Sequence, residues 1–423
     1  MKIRHLLMAW AAAAAAIVIP LGGAAAGAAG ASAQGVTSTT IRIGIPYIDF
    51  AALKSIGVNL DQGSAQDAYS ALIANLNKHG GINGRRLVPY FVAVSPIGTA
   101  PALTACTQLD KDDSIFVSIN PEQSDCYLQQ GVPVINGLSE TTLPPGSAAN
   151  FTLITPPNAF DQLQLPIFAK RGLFKGKTVG LFAGSSQDDS ELAVVQSTLK
   201  KLNVHVVVSA VDSAPPGDTV AANQDVAVIA QRFQQSGVNE VVAVGGGSTL
   251  WPQGLLANQS TYNPPWFATN GEDLQGYIAS ATGNSSTYLK TVVSASSIPS
   301  NYAVWQDPKV KECVSTIHKA YPSDEMTAPT QQITSNNNDL TYDAPEHACE
   351  YLALFAAIAK AAGRHLTVAS FTHAGEGLRN VAIPGVPSVS FGAGRSYAVG
   401  LVYLITYNPN TRQVVYANKP LHQ

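Results

Sequence analysis

Charge is scarce in this chain. Lys, Arg, Asp and Glu make up 13% of 423 residues and nearly cancel, leaving a net −3. That excludes a broad basic surface for nucleic acid. Reactive motifs are equally thin. There is no G-x-S-x-G elbow and no H-E-x-x-H, and the eight histidines have no metal-ligand spacing. His373 and Glu376 stand three apart in "HAGEG", but one such pair does not make a zinc site. "GGGST" lacks the lysine of a phosphate loop. With only Cys106, Cys126, Cys313 and Cys349, and no C-x-x-C among them, zinc and thioredoxin-like chemistry have no support. No cofactor or metal is expected, and the chain reads as a non-enzyme.

What is present is apolar, 46% of the chain, which favours a well-buried globular protein long enough for two domains. At the start, Lys2 and Arg4 precede "LLMAWAAAAAAIVIP", and "ASA" ends at Ala33. Basic, then apolar, then small is the order of a secretory signal peptide, so residues 1–33 are expected to be removed near Gln34. No cysteine near the cleavage region offers a lipid anchor, and no second membrane segment is apparent. The expected address is beyond the cytoplasmic membrane, in the periplasm or cell envelope. Disulfides suit that address. Four cysteines allow three pairings, and Cys106–Cys126 with Cys313–Cys349 is the simplest.

Along the chain, strands alternate with helix-length segments. "TIRIGIPYI" reads as the first strand. Ala65, Ala68, Tyr69, Leu72, Ile73 and Leu76 recur at helical spacing, and Leu87–Val94 reads as a buried strand. Between them, "GGING" puts three glycines into five residues. A phosphate cradle needs glycines after a strand and before a helix; here the order is reversed, so the segment is a helix stop and a tight turn. "SIFVSIN" and "VPVIN" continue the pattern. It restarts after "FTLITPPN" with "TVGLFA", "VHVVVSAV", "EVVAV" and "WFATN", each strand next to a predicted helix. Two successive α/β units with parallel sheets follow. The final stretch alternates and contains Asn-Pro-Asn, a hairpin signal.

"IRIGIPY", "ANLNKHGGINGRRLVPYF", "LTACTQLDKDDSIFVSI", "CYLQQGVPVINGLSETT", "FAKRGLFKGKTVGLF", "NEVVAVGGG" and "PPWFATNGED" occur in an order and spacing that resemble the type I periplasmic binding proteins. The nearest group is the leucine/isoleucine/valine-binding family of ABC-transporter receptors, and the resemblance covers essentially the mature chain. It implies two doubly wound parallel-sheet lobes joined by a three-strand hinge. Lobe one would be 38–157 with 299–388, and lobe two 158–298 with 389–423. It also implies a monomer that closes on a small ligand, an amino acid or related compound, and delivers it to ABC permease subunits. A ligand-sensing receptor, or a secreted hydrolase using Asp188 and Asp189, are the competing readings.

Open α/β sheets bind ligands at the carboxyl ends of their strands, so those loops supply the candidate site. Tyr47, with Phe50 nearby, follows strand one. Ser118 and Asn120, then Gln123 and Ser124, follow "SIFVSI". The resemblance puts Ser139 and Thr141 on a ligand carboxylate and Glu272, beside Asp273, on a ligand ammonium. Asp188 falls where the family has a tyrosine, and Ser248 where it often has another aromatic, which makes this wall more acidic and polar. Asp188 and Asp189 can equally cap the helix that starts at Ser190. His347 and Glu350, beside Cys349, are expected at the surface of their helix.

Overall fold

The computed structural model describes residues 33–421 apart from 55–59, 137–147, 216, 281–285, 331–339, 396, 399 and 418. The expected signal segment and the candidates Ser139 and Thr141 lie outside the described residues.

The first sheet is wound by β1 (Thr40–Ile48), α1 (Phe50–Lys54), α2 (Ala65–Lys78), β2 (Arg86–Val94), α3 (Ala100–Thr107), β3 (Val117–Ile119), α4 (Ser124–Gln129), β4 (Val134–Ile135) and β5 (Asn150–Phe151). Its order is β2-β1-β3-β4-β5 and every pairing is parallel. The glycine-rich turn behaves as its chemistry requires. Gly80 and Gly81 have φ of 92° and 67°, Ile82 folds back fully buried, and Asn83-Gly84 turns with φ of 51° and 82°. A side chain at Gly81 would collide with the Arg85 carbonyl.

The chain then crosses to a second core. This contains α5 (Pro157–Lys170), β6 (Thr178–Ala183), α6 (Asp189–Lys201), β7 (His205–Val211), α7 (Thr219–Gln235), β8 (Glu240–Val244), α8 (Gly247–Ala257), β9 (Trp266–Ala268), α9 (Gly271–Ser280), α10 (Ser286–Leu289) and β10 (Val292–Ser296). It crosses back for α11 (Asn301–Gln306), α12 (Pro308–Ala320), α13 (Asp343–Ala362), α14 (Val368–Glu376) and a two-stranded ribbon, β11 (Val381–Ile383) with β12 (Val386–Val389). A third crossing brings β13 (Tyr403–Asn408) and β14 (Gln413–Tyr416), the hairpin signalled by Asn-Pro-Asn. The second sheet runs β14-β13-β10-β9-β8-β6-β7, parallel except where β13 joins β10 and β14 joins β13. The molecule is therefore an α/β protein of two doubly wound lobes joined by three crossings. Val389, Phe391 and Ala398 pack in the core of the first sheet, so the third crossing falls after Ala398 and not at 388 as the sequence suggested.

The crossings are laced together. Ala398 N–H donates to the Thr152 carbonyl, and the Thr155 hydroxyl donates to the Ala398 carbonyl. A Cβ at Gly400 would lie 2.4 Å from Thr155 Oγ1 and 3.1 Å from Ser297 Cβ, so glycine lets all three segments touch. Both disulfides form as the simplest pairing predicts. Cys106–Cys126 joins α3 to α4, and Cys313–Cys349 joins α12 to α13. In the chain-entropy view each contributes about 3–4 kcal/mol by constraining the unfolded chain.

Candidate functional site

Two strands of the first sheet end in asparagines that turn left-handed. Asn120 after β3 and Asn136 after β4 have φ of 54° and 53°, a conformation asparagine tolerates better than most residues. Asn136 Nδ2 donates to Asn120 Oδ1 at 3.4 Å, while its Oδ1 accepts from Thr152 Oγ1 at 3.1 Å and from Leu153 N–H at 3.2 Å. The lattice fixes the floor of a cavity of about 940 Å³. Tyr47 lines it from the end of β1, its hydroxyl donating to Gln66 Oε1 at 3.3 Å. Ser118 does not line it. It is fully buried within β3, beside Tyr127.

The first half of α13 forms a second wall, and sequence reasoning missed it. Glu346, His347, Glu350 and Tyr351 line the cavity, with Glu346 only 4% and Glu350 only 8% exposed. The surface placement expected for Glu350 is thus corrected, while the His347 side chain keeps 35% of its surface exposed. The Cys313–Cys349 bond joins this helix to α12, and the turn at Gly385 in the ribbon comes up against the Glu350 carboxyl. The available signal was Tyr342, Glu346 and Glu350 at steps of four, leading into the apolar second half of the helix. Burial, then repulsion from Glu350 and Asp343, raises the Glu346 carboxyl to about 9. Burial, then Asp343, raises Glu350 to about 8. His347 Nδ1 lies 3.4 Å from Asp343 Oδ2 and its ring stacks on Tyr351.

Lobe two contributes Glu272 and Gln275 from α9, and residues 413–416 of β14. Asn270 Oδ1 accepts from the Glu272 and Asp273 amides, which fixes the start of α9. Glu272 is open to solvent yet surrounded by protein; desolvation, then Asp273, raises its carboxyl. The Tyr416 hydroxyl meets the Gln275 side chain and ties β14 to α9.

Asp188 and Ser248 sit elsewhere. Ser248 is fully buried, where its hydroxyl accepts from the Asn270 amide at 3.3 Å. Asp188 closes a capping box: its Oδ2 accepts from Ser185 N–H at 3.1 Å, and Ser185 Oγ accepts from Gln187 N–H. Its carboxylate also faces the Gly246 and Gly184 amides. The anion position of the "GGGST" turn is therefore filled by the protein's own carboxylate. A Cβ at Gly245 would approach Asp188 Oδ1 to 2.3 Å. Asp188→Ala should lower apo stability by about 1–2 kcal/mol through loss of this cap, with ligand affinity unchanged. Denaturant unfolding alongside calorimetry checks both halves.

Beside this turn lies an acidic pair, Glu191 and the buried Asp161. Glu191 accepts from Thr269 Oγ1 at 2.7 Å and from Gly245 N–H at 3.2 Å. Burial and then Glu191 push the neighbouring Asp161 carboxyl well above its ordinary value.

Among the described residues no group of side chains could hold a metal ion, and no helix is long and apolar enough to cross a membrane. The cavity is lined by apolar side chains and several carboxyl groups; its size is at the upper end for drug-sized ligands.

No protein-family model and no curated protein sequence matches the chain. Solved structures do match its fold. An ABC transporter substrate-binding protein from Desulfitobacterium hafniense, in complex with Leu, is 14% identical with a TM-score of 0.59, over 89% of this chain and 100% of that one. A fatty acid ABC transporter substrate-binding protein from Thermomonospora curvata is 14% identical, with a TM-score of 0.57 over 93% and 95%. A branched-chain amino acid transporter substrate-binding protein from Streptococcus pneumoniae, in complex with isoleucine, is 16% identical, with a TM-score of 0.54 over 90% and 99%. The chain has the type I periplasmic-binding-protein fold.

Proposed function

We propose that this protein is the extracytoplasmic substrate-binding component of an ABC importer. It captures a small molecule between its lobes and presents it to permease subunits. The observation that carries the reading is the composition of the cavity wall. Loops from the first sheet, segments from the crossings, and α9 with β14 of lobe two all line one space. A molecule bound there touches both lobes, so closing them adds contacts and removes water. On this reading residues 1–33 direct export, 38–157 with 299–388 make most of lobe one, and the mature chain acts as a monomer. Tyr47, Asn120 and Glu272 are contact residues, joined by Ser139 and Thr141. An amino acid or related polar compound is the cargo that the sequence resemblance favours. Catalysis is disfavoured, because Asp188 is engaged by its own turn and is no free acid or base.

Native mass spectrometry of freshly purified mature protein tests the reading. A co-purified small molecule is expected, and its rebinding should lower the radius of gyration in X-ray scattering. Conversion of that molecule to a product on standing would replace capture by catalysis.

A further inference from the structure

We infer that the cleft takes an organic cation, with a basic nitrogen at Glu346 and Glu350 and an apolar body along Ile154, Ile298, Leu340 and Val414. The inference rests on the capture reading and departs from it in the ligand alone, an organic cation in place of an amino acid. It starts from α13, where two carboxyl side chains one turn apart both line the cavity and are both more than nine-tenths buried. Glu346 Oε2 has no hydrogen-bond partner. The Trp305 indole N–H faces it but falls short of bonding geometry, and is itself unsatisfied. A buried carboxyl oxygen left unpartnered is costly, and a ligand N–H would supply what the protein withholds.

The surroundings select the sign of charge. No lysine or arginine is among the described residues lining the cavity, whereas Glu122 and Glu272 add carboxyls from two other walls. Among the described lining residues the one basic side chain is His347, which is already paired with Asp343. The groups facing Glu346 and Glu350 are Asp343, His347 and Tyr351 from α13 itself, Tyr69 from α2, and Trp305 from α11. None of them is a free cation. Tyr302, Tyr342 and Tyr416 also line the cavity, and aromatic faces attract a desolvated cation.

Proton release distinguishes this ligand from any other. In the ligand-free cleft Glu346 and Glu350 are raised to about 9 and about 8, so both are neutral acids at neutral pH. An arriving cation favours their charged forms, protons leave, and binding tightens as pH rises. A carboxylate ligand would behave in the opposite sense.

The test uses the full mature chain with octylammonium, octanoate and leucine as probes, in calorimetry at about pH 6.5 and about pH 8.5. Octylammonium is expected to bind about tenfold or more tightly at the higher pH. Heats in buffers of different ionisation enthalpy should report release of about one proton. Glu346→Gln, which keeps the shape of the protonated acid, should weaken octylammonium about tenfold and diminish the proton release. Tighter binding of octanoate or leucine than of octylammonium overturns the cation while leaving capture intact. So does an unchanged affinity in Glu346→Gln. Binding of none of the three, with no co-purified molecule, overturns both.

Discussion

Phe371→Ala should cost the first lobe about 3–5 kcal/mol, the range for emptying a fully buried phenylalanine site. Phe371 lies on α14 with no exposed surface. Its ring meets Phe116 at 5.5 Å between centroids, and Phe151 and Phe355 each at 5.9 Å. Phe116 immediately precedes β3, Phe151 is in β5 and Phe355 is on α13, so one side chain joins the sheet to both covering helices. Collapse into the gap is hindered one turn later. Gly375 lies so close to Phe151 that an added Cβ would come within 2.2 Å of its ring. The helix is already seated as near the sheet as its backbone allows. Phe371→Leu should recover more than half of the loss. Urea unfolding followed by near-ultraviolet circular dichroism measures both variants, and a loss below about 1 kcal/mol for Phe371→Ala would show that the cluster is not the keystone described.

The second large effect is on pH dependence. Ligand-free protein should be most stable in mild acid and lose several kcal/mol between about pH 5 and about pH 8. Glu346 and Glu350 rise from an ordinary 4.5 to about 9 and about 8 in the fold. Unfolded, each releases its proton near 4.5, whereas folded it does not until pH 8 or above. Between those limits the native state binds more protons than the unfolded state, so stability falls with rising pH. Each group contributes about 1.4 kcal/mol per pH unit while it titrates in one state only. The stabilising contribution is complete below the unfolded value and is lost on the way up to the folded one. Glu346→Gln removes one titration, so its profile should be flatter and the variant more stable than the parent at pH 8. Denaturant midpoints across this range decide the matter. Stability that rises from pH 5 to pH 8 in ligand-free protein would contradict the buried-acid account.

Much of this architecture was legible in the residues because local and global demands agree. Ile82, Asn83 and Gly84 allow little but a stop and a turn, and "TVGLFA" and "EVVAV" are short apolar runs of the kind a parallel sheet buries on both faces. The hairpin at Asn408 and both disulfides followed from equally local chemistry. The site was less legible. Tyr47, Asn120 and Glu272 could be placed on the cavity wall because strand ends are where such sheets expose side chains. Glu346 and Glu350 could not, since a glutamate inside a helix ordinarily faces water, and only the packing of α12 and the ribbon over α13 reverses that. Asp188 misled in the other direction. Its position fitted a binding wall, but three nearby backbone amides claim its carboxylate, and nothing in residues 245–247 read alone announces that they need one.

The three crossings have a consequence for how the molecule comes into being. The first sheet and α2 against it are laid down by residues 40–151, yet α13 and α14, which complete that core, arrive only at residues 343–376. The second sheet likewise waits for β13 and β14 at residues 403–416. Neither lobe is an uninterrupted stretch of chain. A ribosome must therefore finish most of the polypeptide before either core can be sealed, and the contacts that seal them span long sequence separations, which makes assembly slow. Delay is built into the topology itself, and a chain so wound stays threadable for longer than one whose lobes each follow in a single run.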